Sequence, residues 1–142
     1  MDNKKAFTIV ELIVVIGMFM SIVVVTAAAS SRMYLQNNVE SAKNMLISSI
    51  RKSQSYAISK KNNLTWGVCL TGKTIRMYGG SCATPTIKDD YSLPDSVTIS
   101  GLSDFTFSNF RGEPNSAQSI TLSGNGQNFI VNLNAVGGLS VE

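Results

Sequence analysis

Glu11 stands inside an otherwise apolar run from Phe7 to Ala29 and is the residue whose surroundings most alter its chemistry. A carboxylate in a hydrocarbon phase costs on the order of 2.5–3.5 kcal/mol even on lenient insertion scales, so such a group is normally paired and functional. The next residues with distinctive chemistry are Cys69 and Cys82, 13 positions apart with Gly72, Gly79 and Gly80 between them. A turn-rich connection of that kind can bring two sulfurs together, and outside the cytoplasm it predicts a disulfide worth roughly 3 kcal/mol. The chain has no His, which excludes a histidine base and any histidine-bearing metal cluster. Two cysteines without His are too few for a zinc site, so no metal is expected.

Other chemically suggestive patterns fail on context. Gly67-Val68-Cys69-Leu70-Thr71-Gly72-Lys73-Thr74 matches the phosphate-loop pattern GxxxxGK[ST]. That loop requires a following helix whose amides cradle phosphate, whereas Ile75-Arg76-Met77-Tyr78 reads as a strand. Asp89, Asp90 and Asp95 read as a loop cluster, but their spacing matches no calcium loop and they are expected to be solvated acids. Asn63-Leu64-Thr65 is a glycosylation signal only in a eukaryotic secretory route, which nothing else in the chain suggests. Serine is plentiful, yet no His or Lys partner builds a nucleophile–base pair, so neither enzymatic activity nor a cofactor is expected. Trp66, Tyr78 and the phenylalanines sit at strand spacing and read as packing residues.

These residues need elements to position them. The 23 residues from Phe7 to Ala29 would span roughly 34 Å as a helix, enough for a ~30 Å hydrocarbon core. Lys4-Lys5 precede the run, and Arg32 is the sole charge in the ten residues after it. The positive-inside bias therefore places the N-terminus in the cytoplasm and the remainder outside. A cleaved signal peptide ending at Ala27-Ala28-Ala29-Ser30 is the rival reading, but the run is longer than an ordinary signal core, and such a peptide has no use for Glu11. Beyond the run, Leu35, Val39, Ala42, Leu46, Ile50, Ser53 and Ala57 recur at steps of four and three, marking one buried stripe on a helix. Six bases against one acid give residues 32–61 a charge of +5, and four bases against six acids give residues 62–142 a charge of −2. From charge alone this reads as a solvated helix face, and nucleic acid is not expected as a partner.

The helix is expected to end near Lys60-Lys61-Asn62-Asn63, where cations suit the helix dipole and Asn accepts a left-handed cap. Strands are then predicted over Leu64–Leu70, Thr74–Tyr78, Val97–Ser100, Phe105–Ser108, Ser119–Ser123, Asn128–Asn134 and Leu139–Val141, with hairpin turns at Thr71-Gly72-Lys73 and Gly124-Asn125-Gly126. The expected fold is α+β: a long N-terminal helix, membrane-spanning in its first half, packed on a small antiparallel β-sandwich. Its expected parts are a leader at 1–6, a membrane or filament-core helix at 7–29, an amphipathic continuation at 30–62 and an extracytoplasmic β domain at 63–142.

The run Lys5-Ala6-Phe7-Thr8-Ile9-Val10-Glu11-Leu12 closely resembles the type III signal sequence of the type IV pilins and type II secretion pseudopilins. The resemblance implies a leader from Met1 to Ala6, removal of it by prepilin peptidase between Ala6 and Phe7, and methylation of the new Phe7 N-terminus. It also implies that Glu11 directs assembly. The family prefers Gly where this chain has Ala6. Arg51-Lys52-Ser53-Gln54-Ser55-Tyr56-Ala57-Ile58-Ser59-Lys60-Lys61-Asn62, followed by a Cys-bearing strand, resembles the GspH/FimT group of minor pseudopilins, as do Phe107, Arg111-Gly112-Glu113-Pro114 and Ile120-Thr121-Leu122. The implied role is a structural subunit of a type IV pilus or type II secretion pseudopilus at or near its tip, with other pilins, prepilin peptidase and the membrane as partners. The implied location is the inner membrane, in a single pass, followed by an extracytoplasmic filament. The alternative is a DNA-binding minor pilin of DNA uptake, although Val136-Gly137-Gly138-Leu139-Ser140-Val141-Glu142 lacks the Arg-rich motif expected of such members.

Overall fold

A computed structural model describes residues 8–142, with side chains at 8–22 and 37–142. Helical backbone occupies Ile9–Ile58, and a 3₁₀ turn follows at Lys61–Asn63. Eight strands complete the chain: β1 (Trp66–Thr71), β2 (Thr74–Gly80), β3 (Pro85–Ser92), β4 (Thr98–Ser100), β5 (Phe105–Phe107), β6 (Gln118–Gly124), β7 (Gln127–Leu133) and β8 (Leu139–Val141). The chain divides into two compact units, Met1–Tyr34 and Leu35–Glu142.

The expected fold class is corrected in its helical part. The described helix falls into two short stretches, 9–22 in the first unit and 37–58 in the second. Among the described residues no helix is long and apolar enough to cross a membrane. The absence of Pro and Gly between Met18 and Lys61 permits helix, but it does not make both stretches serve one surface. In the first, the described apolar side chains lie open, from 41% exposed at Val15 to 77% at Ile9. In the second, the apolar stripe is sealed against the sheets. Ala6, Phe7 and the expected leader lie outside the described residues, as do the side chains of Ala27–Ser30 and Leu35.

Within the second unit, Val39, Ala42, Leu46, Ile50, Ser53 and Ala57 are all buried, which is the stripe that the 3.6-residue period requires. They meet two antiparallel four-stranded sheets, one in the order β3-β2-β1-β5 and the other in the order β4-β6-β7-β8. Trp66, Val68, Ile75, Met77, Phe105 and Phe107 from the first sheet join Ile120, Leu122, Val131 and Leu133 from the second and the helical stripe in one apolar cluster. Alternation along each strand puts the neighbouring residues on the outer faces. Ile130, which interrupts the alternation of β7 in sequence, is turned outward.

Turn chemistry sets the registers. Thr71 pairs with Thr74, leaving Gly72-Lys73 as a two-residue loop in which Gly72 has φ 61°. Gly124 pairs with Gln127 across Asn125 (φ 51°) and Gly126 (φ 78°), the two left-handed positions of a primed hairpin turn. The phosphate-loop letters are therefore a β-hairpin. At the helix end, Lys60, Asn62 and Asn63 all have positive φ, so the cap falls where the cations and asparagines place it. Two strands depart from the sequence reading. Asp89 and Asp90 lie in β3, paired with Met77 and Arg76, rather than in a loop, and β1 begins at Trp66 rather than Leu64.

Candidate functional site

The N-terminal candidate begins at Thr8. Its carbonyl accepts the Leu12 amide at 3.2 Å, and its Oγ1 accepts the Glu11 amide at 3.3 Å. Thr8 is thus the N-cap and Glu11 the third helical residue, the S/T-x-x-E spacing of a capping box. The positive end of the helix dipole also favours the Glu11 carboxylate there. Sequence reasoning took Glu11 as a charge in need of a partner and did not read the helix cap, for which Thr8 three residues earlier was the visible signal. Ala6 and Phe7 lie outside the described residues, so no distance links Glu11 to them.

The second candidate lies on the outer face of the first sheet. Cys69 and Cys82 form a disulfide, as their spacing predicts, tying β1 to the turn before β3. Cys69 is buried and Cys82 half-buried. Thr84 donates its amide to Ser81 Oγ at 3.2 Å, curling this turn, and Arg76 donates to the Cys82 carbonyl at 3.3 Å. Beside it the buried Tyr78 hydroxyl donates to Asp104. Tyr78 can lie across β1 because its partner there is Gly67. A Cβ at Gly67 would come within 2.6 Å of the Tyr78 hydroxyl and 2.7 Å of its ring. Burial, reinforced by the Asp104 hydrogen bond, pushes the Tyr78 phenol well above its ordinary value, so it remains a donor across the physiological range. The Cys69 and Cys82 sulfurs and an Asp104 carboxylate oxygen all lie within 4.8 Å of one another. Sequence reasoning missed Asp104, because only strand register brings it beside Cys69.

The three aspartates considered for calcium are instead each held by a cation. Lys52 pairs with Asp89, Arg76 with Asp90 at 2.7 Å, Lys88 with Asp90 at 3.1 Å and Lys73 with Asp95 at 2.8 Å. Arg76, and after it Lys88, hold the Asp90 carboxyl down to about 2, and Lys73 lowers Asp95. Lys52 is raised by its hydrogen bond to Asp89.

At the C-terminal end of stretch 37–58, Gln54 Nε2 donates to the carbonyls of Gly112 at 2.9 Å and Gly137 at 3.1 Å. This pins two loops to the helix and leaves Ile58, Phe110 and Val136 exposed. Lys60 lies 4.3 Å from the Phe110 ring centre, and Lys61 lies 3.7 Å from that of Tyr56. Elsewhere, an open groove of about 450 Å³ is lined by Gln118, Ser119, Asn132, Asn134 and Ser140 among others, with no titratable side chain. Among the described residues, the geometry brings together exposed apolar side chains beside cations at the helix end and a sulfur–carboxylate cluster on the first sheet.

Comparison with protein-family profiles, curated proteins and solved structures found no match.

Proposed function

We propose that the chain is a non-enzymatic minor subunit of the pilin and pseudopilin kind, built into an extracytoplasmic filament through its N-terminal apolar segment. One observation carries this reading. Every large apolar side chain described between Ile9 and Ile22 is open to the surroundings, and the same stretch carries a single acidic residue, Glu11. A surface like that is stable only when lipid or other chains cover it. The apolar run continues in sequence to Ala29, beyond the described side chains. It supports a single-pass anchor in the cytoplasmic membrane, with the N-terminus inside and residues 35–142 outside. The disulfide suits that compartment.

Removal of Met1–Ala6 by prepilin peptidase leaves a cationic amine on Phe7. A neighbouring subunit's amine neutralises Glu11, which relieves the cost of two isolated charges in a low dielectric and sets the register of assembly. Glutamine at position 11 retains the capping-box pattern while abolishing the charge. Glu11→Gln is therefore expected to be processed and inserted normally yet excluded from filaments, as scored by mass spectrometry of the N-terminus and by recovery in sheared filaments. Normal filament incorporation of Glu11→Gln would reduce the residue's role to capping.

A second reading, a DNA-binding minor pilin of DNA uptake, draws on exposed Phe110 beside Lys60, with Arg111, Lys61 and the exposed Arg51 nearby in sequence or on the same helix. Aromatic faces interleaved with cations suit a nucleic-acid strand. Steeply salt-dependent binding of an oligonucleotide, lost in Phe110→Ala with Lys60→Glu, is its expected signature, and negligible, salt-insensitive binding dismisses it.

A further inference from the structure

On the outer face of the first sheet, two sulfurs joined to each other lie beside one carboxylate. Val68 pairs with Phe105, so the next position along each antiparallel strand sets Cys69 beside Asp104. The Ser81–Thr84 turn carries Cys82 over the same spot. All three ligand atoms lie within 4.8 Å of one another. Around a tetrahedral zinc ion, with Zn–S of about 2.3 Å and Zn–O of about 2.0–2.2 Å, ligand atoms stand roughly 3.5–3.8 Å apart. The cluster reaches that spacing once the sulfurs part and the carboxylate moves in by about an ångström.

Asp104 is oriented by the Tyr78 hydroxyl, the outer hydrogen bond that metal-binding carboxylates use to fix their direction. Asp104 is exposed and Cys82 half-buried, so an ion and a fourth, water ligand have access. Two thiolates and a carboxylate favour a divalent ion of intermediate softness over calcium or magnesium. Arg76, hydrogen-bonded to the Cys82 carbonyl and paired with Asp90, adds a cation that offsets part of the surplus negative charge.

We propose that, in the chain whose Cys69–Cys82 bond has not formed, Cys69, Cys82 and Asp104 bind one divalent transition-metal ion of the zinc class and leave one coordination position open. Metal and disulfide are then alternative uses of the same sulfurs. When a disulfide-bearing oxidant arrives, the two metal-held thiolates give it two electrons, and the Cys69–Cys82 bond forms. The ion leaves, and the oxidant's disulfide takes up two protons to become two thiols. This inference does not rest on the filament reading.

The test uses the full chain in detergent, reduced with a phosphine, freed of excess reductant and titrated with Co²⁺. The expected result is a thiolate-to-cobalt charge-transfer band with tetrahedral visible bands, saturating at one equivalent and displaced by Zn²⁺. The oxidised chain shows neither band. Because outer-shell partners alone change metal affinity by 10–100-fold, Asp104→Asn should weaken binding by about 100-fold and Tyr78→Phe by about 10-fold. Absence of the charge-transfer band, or an Asp104→Asn titration that overlays wild type, overturns the proposal. Circular dichroism accompanies each titration. If reduction unfolds the domain, metal must restore the folded spectrum in wild type and not in Asp104→Asn; metal uptake without refolding also overturns it.

Discussion

A hydroxyl sealed into an apolar interior costs free energy unless something bonds it, and Ser53 is such a group. It is fully buried on the core-facing stripe, and its Oγ has no hydrogen-bond partner. One turn earlier, Ser49 meets the same problem by donating to the Met45 carbonyl at 2.8 Å. Ser53→Ala is expected to raise stability by about 1 kcal/mol, read as a higher urea midpoint at unchanged slope. Residue-scale chemistry was legible wherever partners are near in sequence. The Cys69–Cys82 bridge was read from its spacing, and the Thr8–Glu11 cap, which went unread, is marked by a shorter one. The Tyr78–Asp104 contact was not legible, because it depends on Gly67 lying opposite Tyr78 and on Asp104 arriving with a strand some 25 residues later.

At the scale of elements, hydrophobic period was the reliable signal. The stripe from Val39 to Ala57 and seven of the eight strands were found from it. β3 escaped because its alternation is one of charge and hydroxyl rather than of apolar side chains. Lys88, Asp89 and Asp90 read as a solvated loop until β2 supplies Arg76 and the helix supplies Lys52. The β2–β3 pairing also has a pH signature. The Asp90 carboxyl sits at about 2 in the fold against an ordinary 3.8, chiefly through Arg76. A carboxyl depressed on folding contributes stability that is complete above its unfolded value and disappears as pH falls through its folded one. The urea midpoint of wild type is therefore expected to fall between about pH 4 and pH 2, and Asp90→Asn to flatten that fall while lowering the plateau above it. The lowered Asp95 carboxyl acts in the same direction, so the flattening in Asp90→Asn is partial.

At the scale of the whole molecule, residues 35–142 have one core, to which the helical stripe and both sheets contribute. Leu46 is fully buried in it. Leu46→Ala should cost about 2–5 kcal/mol, with tryptophan fluorescence from Trp66 on the first sheet and far-UV signal from the domain shifting together in a single transition. The pattern of apolar residues revealed that this helix closes a sheet core. It did not reveal that stretches 9–22 and 37–58 belong to different units, because an unbroken helical pattern records local backbone preference and not what each face packs against.

The edge strand β3 has a consequence for crowding. It runs eight residues, Pro85–Ser92, along the open side of its sheet, long enough to template a foreign strand. Its pairing with β2 slips at Gly79/Gly80, it begins at a proline, and Lys88, Asp89 and Asp90 occupy its middle. A strand added there would meet an irregular ladder at one end and charged side chains at its centre, already paired within the domain. Even at high local concentration, such an edge disfavours fusion of one domain to another into amyloid-like sheets.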